Sequence, residues 1–247
     1  MLETLRHDPV TELRLARAPV NALNMELVEA LLAALNTEVK NGAKAIVLTG
    51  NTGIFSAGLD VRELMEASRN SVTVFWDRFF KLTHALLNCP VPVVAGITGH
   101  APAGGAVLAI HCDYRIAAAG EFKLGLNEVQ VGLAVPEVIL QVLRHVVGAR
   151  QAGHLAIRGL MLSPAEALNI GLVDEVVSPD EVCQRAVSYA RQLTELPPVA
   201  MNTTRRNAKA ELLAQHVSIE AVRLMTDYWF SDETQRTMRQ LVASLGK

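Results

Sequence analysis

Cysteine is scarce in this chain of 247 residues. Cys89, Cys112 and Cys183 are widely spaced and form no CxxC pair, which argues for reduced thiols and against a zinc site. The histidines add no metal chemistry. His84, His100, His111, His145 and His154 show no ligand spacing and read as satisfied or surface histidines, so no metal is expected. Charge of one sign is lacking too: the formal net charge is -2 and no long run of like charge occurs. That removes the electrostatic case for nucleic acid or a membrane surface, and there is no basic aromatic patch to favour RNA. The start of the chain shows neither the basic nor the apolar segment of a signal peptide. A bacterial cytoplasmic protein is expected, although a mitochondrial matrix protein with its leader removed would read the same. The longest apolar run, 93–110, contains His100, Pro102 and four glycines, and so predicts a buried strand–turn–helix rather than a membrane span.

What the chain has is apolar residues: they make up 50% of it, enough for a sizeable core in one large domain or a domain with an appendage. Leu2–Leu5 and Thr11–Leu15 predict a hairpin, with Asp8-Pro9 in its turn. Asn24 is a good N-cap for a helix with Leu27, Val28, Leu31, Leu32 and Leu35 at helical spacing, ended by Asn41-Gly42. Buried strands follow at Lys44–Thr49, Val91–Ile97 and Tyr114–Ala118, and a short one at Glu121–Leu124. Between them Asp60 caps a helix starting near Val61, and 72–87 is a second amphipathic helix. Ser163-Pro-Ala-Glu166 and Ser178-Pro-Asp-Glu181 both read as capping boxes. Past Pro197-Pro198 the pattern is helical to the end. The expected division is a core over 1–196 and a C-terminal helical region over 197–247. The sequence contains no internal repeat.

Two loops could present backbone donors. In Phe55-Ser-Ala-Gly-Leu-Asp60, a small residue at Ala57 lets its N–H point at a ligand oxygen; the plainer reading is an ordinary strand-to-helix loop. In Pro102-Ala-Gly-Gly105, the N–H of Gly104 opens a helix; the plainer reading is a turn built for tight packing. Each loop follows a buried parallel strand, where sites in α/β folds gather. Together the two donors would form an oxyanion hole. Glu128 lies in the mostly apolar stretch 124–135, where a carboxylate should have a raised pKa and could act as a general base. A surface glutamate is the default for any single Glu. Glu137 follows Pro136 at a helix start, where an acid matching the helix dipole is favoured over catalysis.

The combination of Phe55-Ser-Ala-Gly-Leu-Asp60, Gly99-His-Ala-Pro-Ala-Gly-Gly105, Cys112-Asp-Tyr-Arg-Ile116 and Gly125-Leu-Asn-Glu128 resembles the crotonase (enoyl-CoA hydratase/isomerase) superfamily. The likeness extends over essentially the whole chain, including Pro164-Ala-Glu-Ala-Leu168 and Gly171-Leu-Val-Asp174. Within the superfamily it is nearest to the mitochondrial-type Δ3,Δ2-enoyl-CoA isomerases.

The resemblance implies an α/β fold, a spiral of βαβ units, with C-terminal helices that build a homotrimer. It implies acyl-CoA thioester substrates, with coenzyme A as part of the substrate and no separate cofactor. Ala57 and Gly104 map onto the oxyanion hole, and Ser56, Ala57, Gly58, Leu59 and Asp60 onto the loop along the coenzyme A moiety. Hydratases of the family use two glutamates; the second maps to Glu128 and the first to Val107, which transfers no proton. Peroxisomal-type isomerases place their acid near Glu137. The expected activity is a Δ3,Δ2-enoyl-CoA isomerase of fatty acid β-oxidation, with Glu128 as shuttle and Glu137 as helper or rival. The alternatives are a hydratase, a thioesterase, a non-catalytic acyl-CoA binder and an RNA-binding member of the superfamily.

Overall fold

The computed structural model of the chain describes residues 1–215 and 217–244. Strands β1 (Leu2–His7) and β2 (Val10–Leu15) form the predicted hairpin, pairing Leu2 with Leu15 and His7 with Val10 around a cis Asp8-Pro9 turn. Helix α1 (Met25–Lys40) begins where Asn24 accepts the Leu27 N–H at 3.0 Å, and it ends at Asn41-Gly42. It returns the chain to β3 (Ala45–Thr49), which runs parallel to β2. Strand β3 is buried on both faces, as its unbroken apolar run requires.

From β3 onward the chain repeats one move. A strand of a large sheet leads at once into a very short strand of a second sheet. Strand β3 leads to β4 (Gly53–Ile54). After helices α2 (Val61–Glu66) and α3 (Arg69–Leu87), β5 (Val93–Ile97) leads to β6 (Gly99–Pro102). After helix α4 (Gly104–Ile110), β7 (Tyr114–Ala118) leads to β8 (Leu124–Gly125). The large sheet, completed by β9 (Glu175–Val177), has the order β1-β2-β3-β5-β7-β9; the small one has β4-β6-β8, all parallel. The two sheets advance in step, which is the spiral. The structure therefore repeats although the sequence does not: each turn needs only a buried strand and a break, and no shared side chains.

Helices α5 (Glu137–Val147), α6 (Ala149–Arg158), α7 (Pro164–Asn169) and α8 (Val182–Thr194) follow. The Ser163 capping box forms with both reciprocal bonds. The Ser178 box does not: the Ser178 hydroxyl bonds the Glu181 carboxylate, residues 179–181 make a 3-10 turn, and α8 starts only at Val182. Two further boundaries differ from expectation. Helix α3 starts at Arg69 because the Ser68 side chain accepts the Ser71 N–H at 3.1 Å. Residues 121–123 lie outside any strand, and only Leu124–Gly125 pairs with β6.

After Pro197 the chain forms α9 (Pro198–Ala208), α10 (Ala210–Leu213), α11 (Ile219–Trp229) and α12 (Asp232–Ser244). Helix α11 packs on α3, and α12 packs on α2 and on the 128–131 turn. Met225, Trp229 and Met238 thereby join the same buried cluster as Phe75, Trp76 and Phe79 of α3. Helix α9 has no buried residue. It is fixed by Arg205, whose Nη1 lies 2.8 Å from Asp113, and by Lys209 just beyond it, 2.6 Å from the same carboxylate. The Asp113 carboxylate also accepts the Val93 N–H at 2.8 Å, so one acid joins β5, β7 and the C-terminal helices. Arg205 and Lys209 thus serve the fold, tying the C-terminal helices to the strands.

Candidate active site

The three chemically interesting residues leave successive strands of the small sheet. Ala57 follows β4, Gly104 follows β6 and Glu128 follows β8, all at the carboxyl ends of parallel strands. Side-by-side pairing of β4, β6 and β8 is what brings 57, 104 and 128 together from distant parts of the sequence.

The first two loops touch backbone to backbone. A Cβ on Gly105 would lie 2.5 Å from the Ser56 carbonyl oxygen, and one on Gly58 (φ +84°) would lie 3.1 Å from the Gly104 nitrogen. Only glycine allows this approach. Ala103, just before α4, sits at φ +45° and ψ −117°, a strained conformation for a residue with a Cβ. Its N–H donates to the Gly125 carbonyl at 2.8 Å, which holds it there. The strain turns the chain so that α4 begins at Gly104, whose N–H, first in the helix, has no intrahelical acceptor. The sequence held no signal for Ala103, because alanine carries no preference for that conformation.

The Ala57 N–H is not free. It donates to the Val20 carbonyl at 2.9 Å. Ser56, expected along the substrate, is fully buried behind the wall: its Oγ donates to the Asn21 carbonyl at 2.7 Å and accepts the Gly58 N–H at 3.2 Å. Gly58 is likewise buried and does not line the cavity. Leu59 and Asp60 do line it; Asp60 accepts the Glu63 N–H at 3.1 Å and pairs with Arg17 at 2.7 Å.

Glu128 opens a 3-10 turn over Glu128–Val131, closed by Gly132 at φ +77°. Two distant contacts hold this turn. The Thr234 hydroxyl of α12 donates to the Gly132 carbonyl at 2.6 Å, and Gln130 Nε2 donates to the Gly159 carbonyl at 2.9 Å. The side chain shows part of its area to the cavity, but Oε2 has essentially no exposed surface and no hydrogen-bond partner. Burial pushes the Glu128 carboxyl up to about 7, opposed in small part by a bond from its own backbone N–H. A carboxylic acid that titrates near neutrality in an apolar cavity is suited to taking a proton from carbon.

The cavity has a volume of about 930 Å³. Its outer end carries Arg17, Arg62, Glu63 and Glu66; its inner walls are apolar, from Trp76, Phe79, Val107, Ile139, Met225 and Met238. The stretch 131–140 supplies Val131, Leu133 and Ile139 to the wall. Leu64 and Met65 do not line it, whereas their neighbours Val61, Glu63 and Glu66 do. The contributions of α3, α11 and α12 were not legible, because they depend on packing between remote helices. Glu137 is not brought to the cavity. It is exposed at the start of α5, with Gln141 Nε2 3.5 Å away.

The sequence profile of the enoyl-CoA hydratase/isomerase family matches residues 6–242. The chain is 31% identical over 242 residues to human mitochondrial enoyl-CoA delta isomerase 1, covering 96% of this chain and 80% of the relative. It is 32% identical over 190 residues to a probable enoyl-CoA hydratase of Mycobacterium tuberculosis, covering 76% of this chain and 72% of the relative. The crystal structure of the human mitochondrial delta3-delta2-enoyl-CoA isomerase superimposes with a TM-score of 0.95 at 28% identity, covering 99% of this chain and 98% of that one. An enoyl-CoA hydratase from Mycobacterium ulcerans superimposes with a TM-score of 0.81 at 29% identity, covering 92% and 96%.

Proposed function

This chain belongs to the enoyl-CoA hydratase/isomerase family, and from that premise we propose that it is a Δ3,Δ2-enoyl-CoA isomerase acting in fatty acid β-oxidation. The observation that carries the reading is the pairing of one buried carboxylate, Glu128, with the apolar Val107 in a single cavity. Adding water across a double bond calls for one group to activate water and another to protonate carbon. Moving a double bond calls for only one, provided it can take a proton and give it back. The fuller superposition on the human isomerase than on the mycobacterial hydratase supports the same choice.

In the proposed reaction the thioester oxygen of a 3-enoyl-CoA rests on the Gly104 N–H, joined by the Ala57 N–H. Glu128 takes a proton from C2. The C2–H electrons form a C1=C2 bond and push the carbonyl pair onto the thioester oxygen, giving a dienolate whose negative charge lies there. As the carbonyl re-forms, the C1=C2 electrons become the new C2=C3 bond and the C3=C4 electrons take up a proton at C4. Glu128 then returns the proton to C4, giving the 2-trans-enoyl-CoA. Each backbone donor in such a hole contributes roughly 2.7–4 kcal/mol to lowering the barrier. The apolar inner walls keep water from the dienolate. The proton shuttle needs no metal or redox group, and coenzyme A enters as part of the substrate. Glu137 stays outside this scheme. We further propose that the chain works as a homotrimer; Leu196 and Val199, 47% and 80% exposed around the start of α9, are apolar side chains that a subunit contact would cover.

A substrate dideuterated at C2, turned over in ordinary water, tests the single shuttle. Label appearing at C4 of the product supports it. Label kept at C2 but absent from C4, with the abstracted deuteron lost wholly to solvent, contradicts it.

A further inference from the structure

The Val20 carbonyl occupies the N–H that the proposed reaction assigns to the substrate. Residues 17–23 run alongside 54–60 and are laced to them by hydrogen bonds. The Asn21 side chain donates from Nδ2 to the Phe55 carbonyl at 3.0 Å, and the Asn21 carbonyl accepts the Ser56 hydroxyl at 2.7 Å. Further along, Leu23 N–H donates to the Gly58 carbonyl at 2.7 Å, and Asp60 N–H to the Leu23 carbonyl at 2.9 Å. Asn21 is fully buried and sits at φ +52°, a left-handed conformation that asparagine tolerates better than most residues. Its own N–H donates to the Arg17 carbonyl at 2.7 Å, closing a tight turn. Asn21 is therefore bonded on both sides of the Phe55–Ser56 peptide, immediately before Ala57. The residue before it differs in kind: the Val20 side chain is 39% exposed at the cavity wall, and its one bond to the opposite loop is from the Ala57 N–H.

We propose that Asn21 is a positioning residue for the Ala57 oxyanion donor, and that the Val20 carbonyl is a stand-in which the substrate's thioester oxygen displaces. The proposal rests on the acyl-CoA reading above and deepens it. Asn21 fixes the direction of the Ala57 N–H by holding the preceding peptide. The Val20 carbonyl satisfies that N–H while the cavity is empty, so that a partly buried donor is never left unpaired. Binding then exchanges one N–H···O=C bond for another. Val20 can yield without opening the core, because Asn21 and Leu23 keep their own bonds to the opposite loop.

The test has two arms. In the wild-type protein, the amide resonance of Ala57 is followed by NMR while octanoyl-CoA or free CoA is added, with binding of each measured by calorimetry. Octanoyl-CoA carries the thioester carbonyl and free CoA does not. The proposal expects the Ala57 resonance to move with octanoyl-CoA and to stay in place with bound CoA. Octanoyl-CoA that binds without moving it overturns the proposal, as does an equal shift with both. Failure of octanoyl-CoA to bind at all refutes the acyl-CoA reading itself, and this inference with it. In the second arm Asn21→Gly keeps the left-handed turn accessible and removes only the carboxamide clamp. The expected result is a fall in kcat of roughly tenfold or more with KM changed less than about threefold, since the donor acts on the charge of the transition state. An unchanged kcat in a folded variant overturns the positioning role. If the variant fails to fold, the wild-type resonance arm decides.

Discussion

Glu128 and Val107 line the same cavity, one a carboxylate whose Oε2 has no partner and the other a buried aliphatic side chain at the start of the helix that Gly104 opens. Among the described residues, this asymmetry leaves Glu128 as the carboxylate on those inner walls placed to move a proton in the proposed chemistry.

Glu128→Gln keeps the size of the side chain and removes the proposed base. Turnover of 3-enoyl-CoA should fall by roughly 10³–10⁴-fold, the upper range for acid–base groups, while the affinity for a saturated acyl-CoA stays within a few-fold. Glu137→Gln is the matched control. Because Glu137 is exposed outside the cavity, its turnover should remain within about twofold of wild type. A reversed pattern in steady-state kinetics would transfer the role to Glu137.

The pKa of Glu128 also sets a pH profile. The base works only when ionised and titrates at about 7. The kcat/KM value should rise about tenfold per unit below that pH and level off above it. A profile flat from pH 5 to 8 would mean that another group carries the proton.

The same shift acts on stability in the opposite sense to an ordinary salt-bridged acid. In the folded chain Glu128 is raised from 4.5 to about 7, so the native state holds its proton where the unfolded state has released it. Its contribution is full below about pH 4.5 and is lost as pH climbs to about 7, amounting to roughly 3 kcal/mol across that window. Glu128→Gln does not titrate. Its Tm relative to wild type should therefore rise by several degrees between pH 5 and pH 8. A pH-independent difference in melting would show that the wild-type carboxylate is not desolvated.

Gly105→Ala places a methyl group about where the Ser56 carbonyl oxygen lies, 2.5 Å away. The two loops must separate, at a cost of about 1–3 kcal/mol in stability. Since both proposed oxyanion donors sit on those loops, kcat should fall more than affinity. Thermal melts and kinetics on the purified variant check both statements.

Much of the framework was legible in the sequence where local hydrogen-bond chemistry decides it. Asn24, Asp60 and Ser163 cap the expected helices because each needs only an oxygen and a neighbouring backbone N–H. The Ser178 box misled because its glutamate bonded the serine hydroxyl in place of the backbone. The small sheet was missed: strands as short as Gly53–Ile54 and Leu124–Gly125 are too brief to show an alternating pattern. That sheet is nonetheless what assembles the site. Ala57, Gly104 and Glu128, which line one cavity, could be singled out because small residues and an acid in an apolar stretch carry a readable signal. Val20, whose hydrogen bond is made by its backbone, carries none, and neither do the wall residues Met225 and Met238, which arrive from the far end of the chain.

The central claim is that one carboxylate moves protons on an acyl-CoA without adding water. The measurement that tests it most directly is a paired assay on the wild-type protein, with a 3-enoyl-CoA in one cuvette and a 2-trans-enoyl-CoA in the other. The account predicts conjugation in the first, seen as formation of the 2-enoyl thioester, and no loss of that chromophore by hydration in the second. Fast hydration in the second cuvette would contradict it, because a second proton-transfer group would then have to stand where the cavity has Val107.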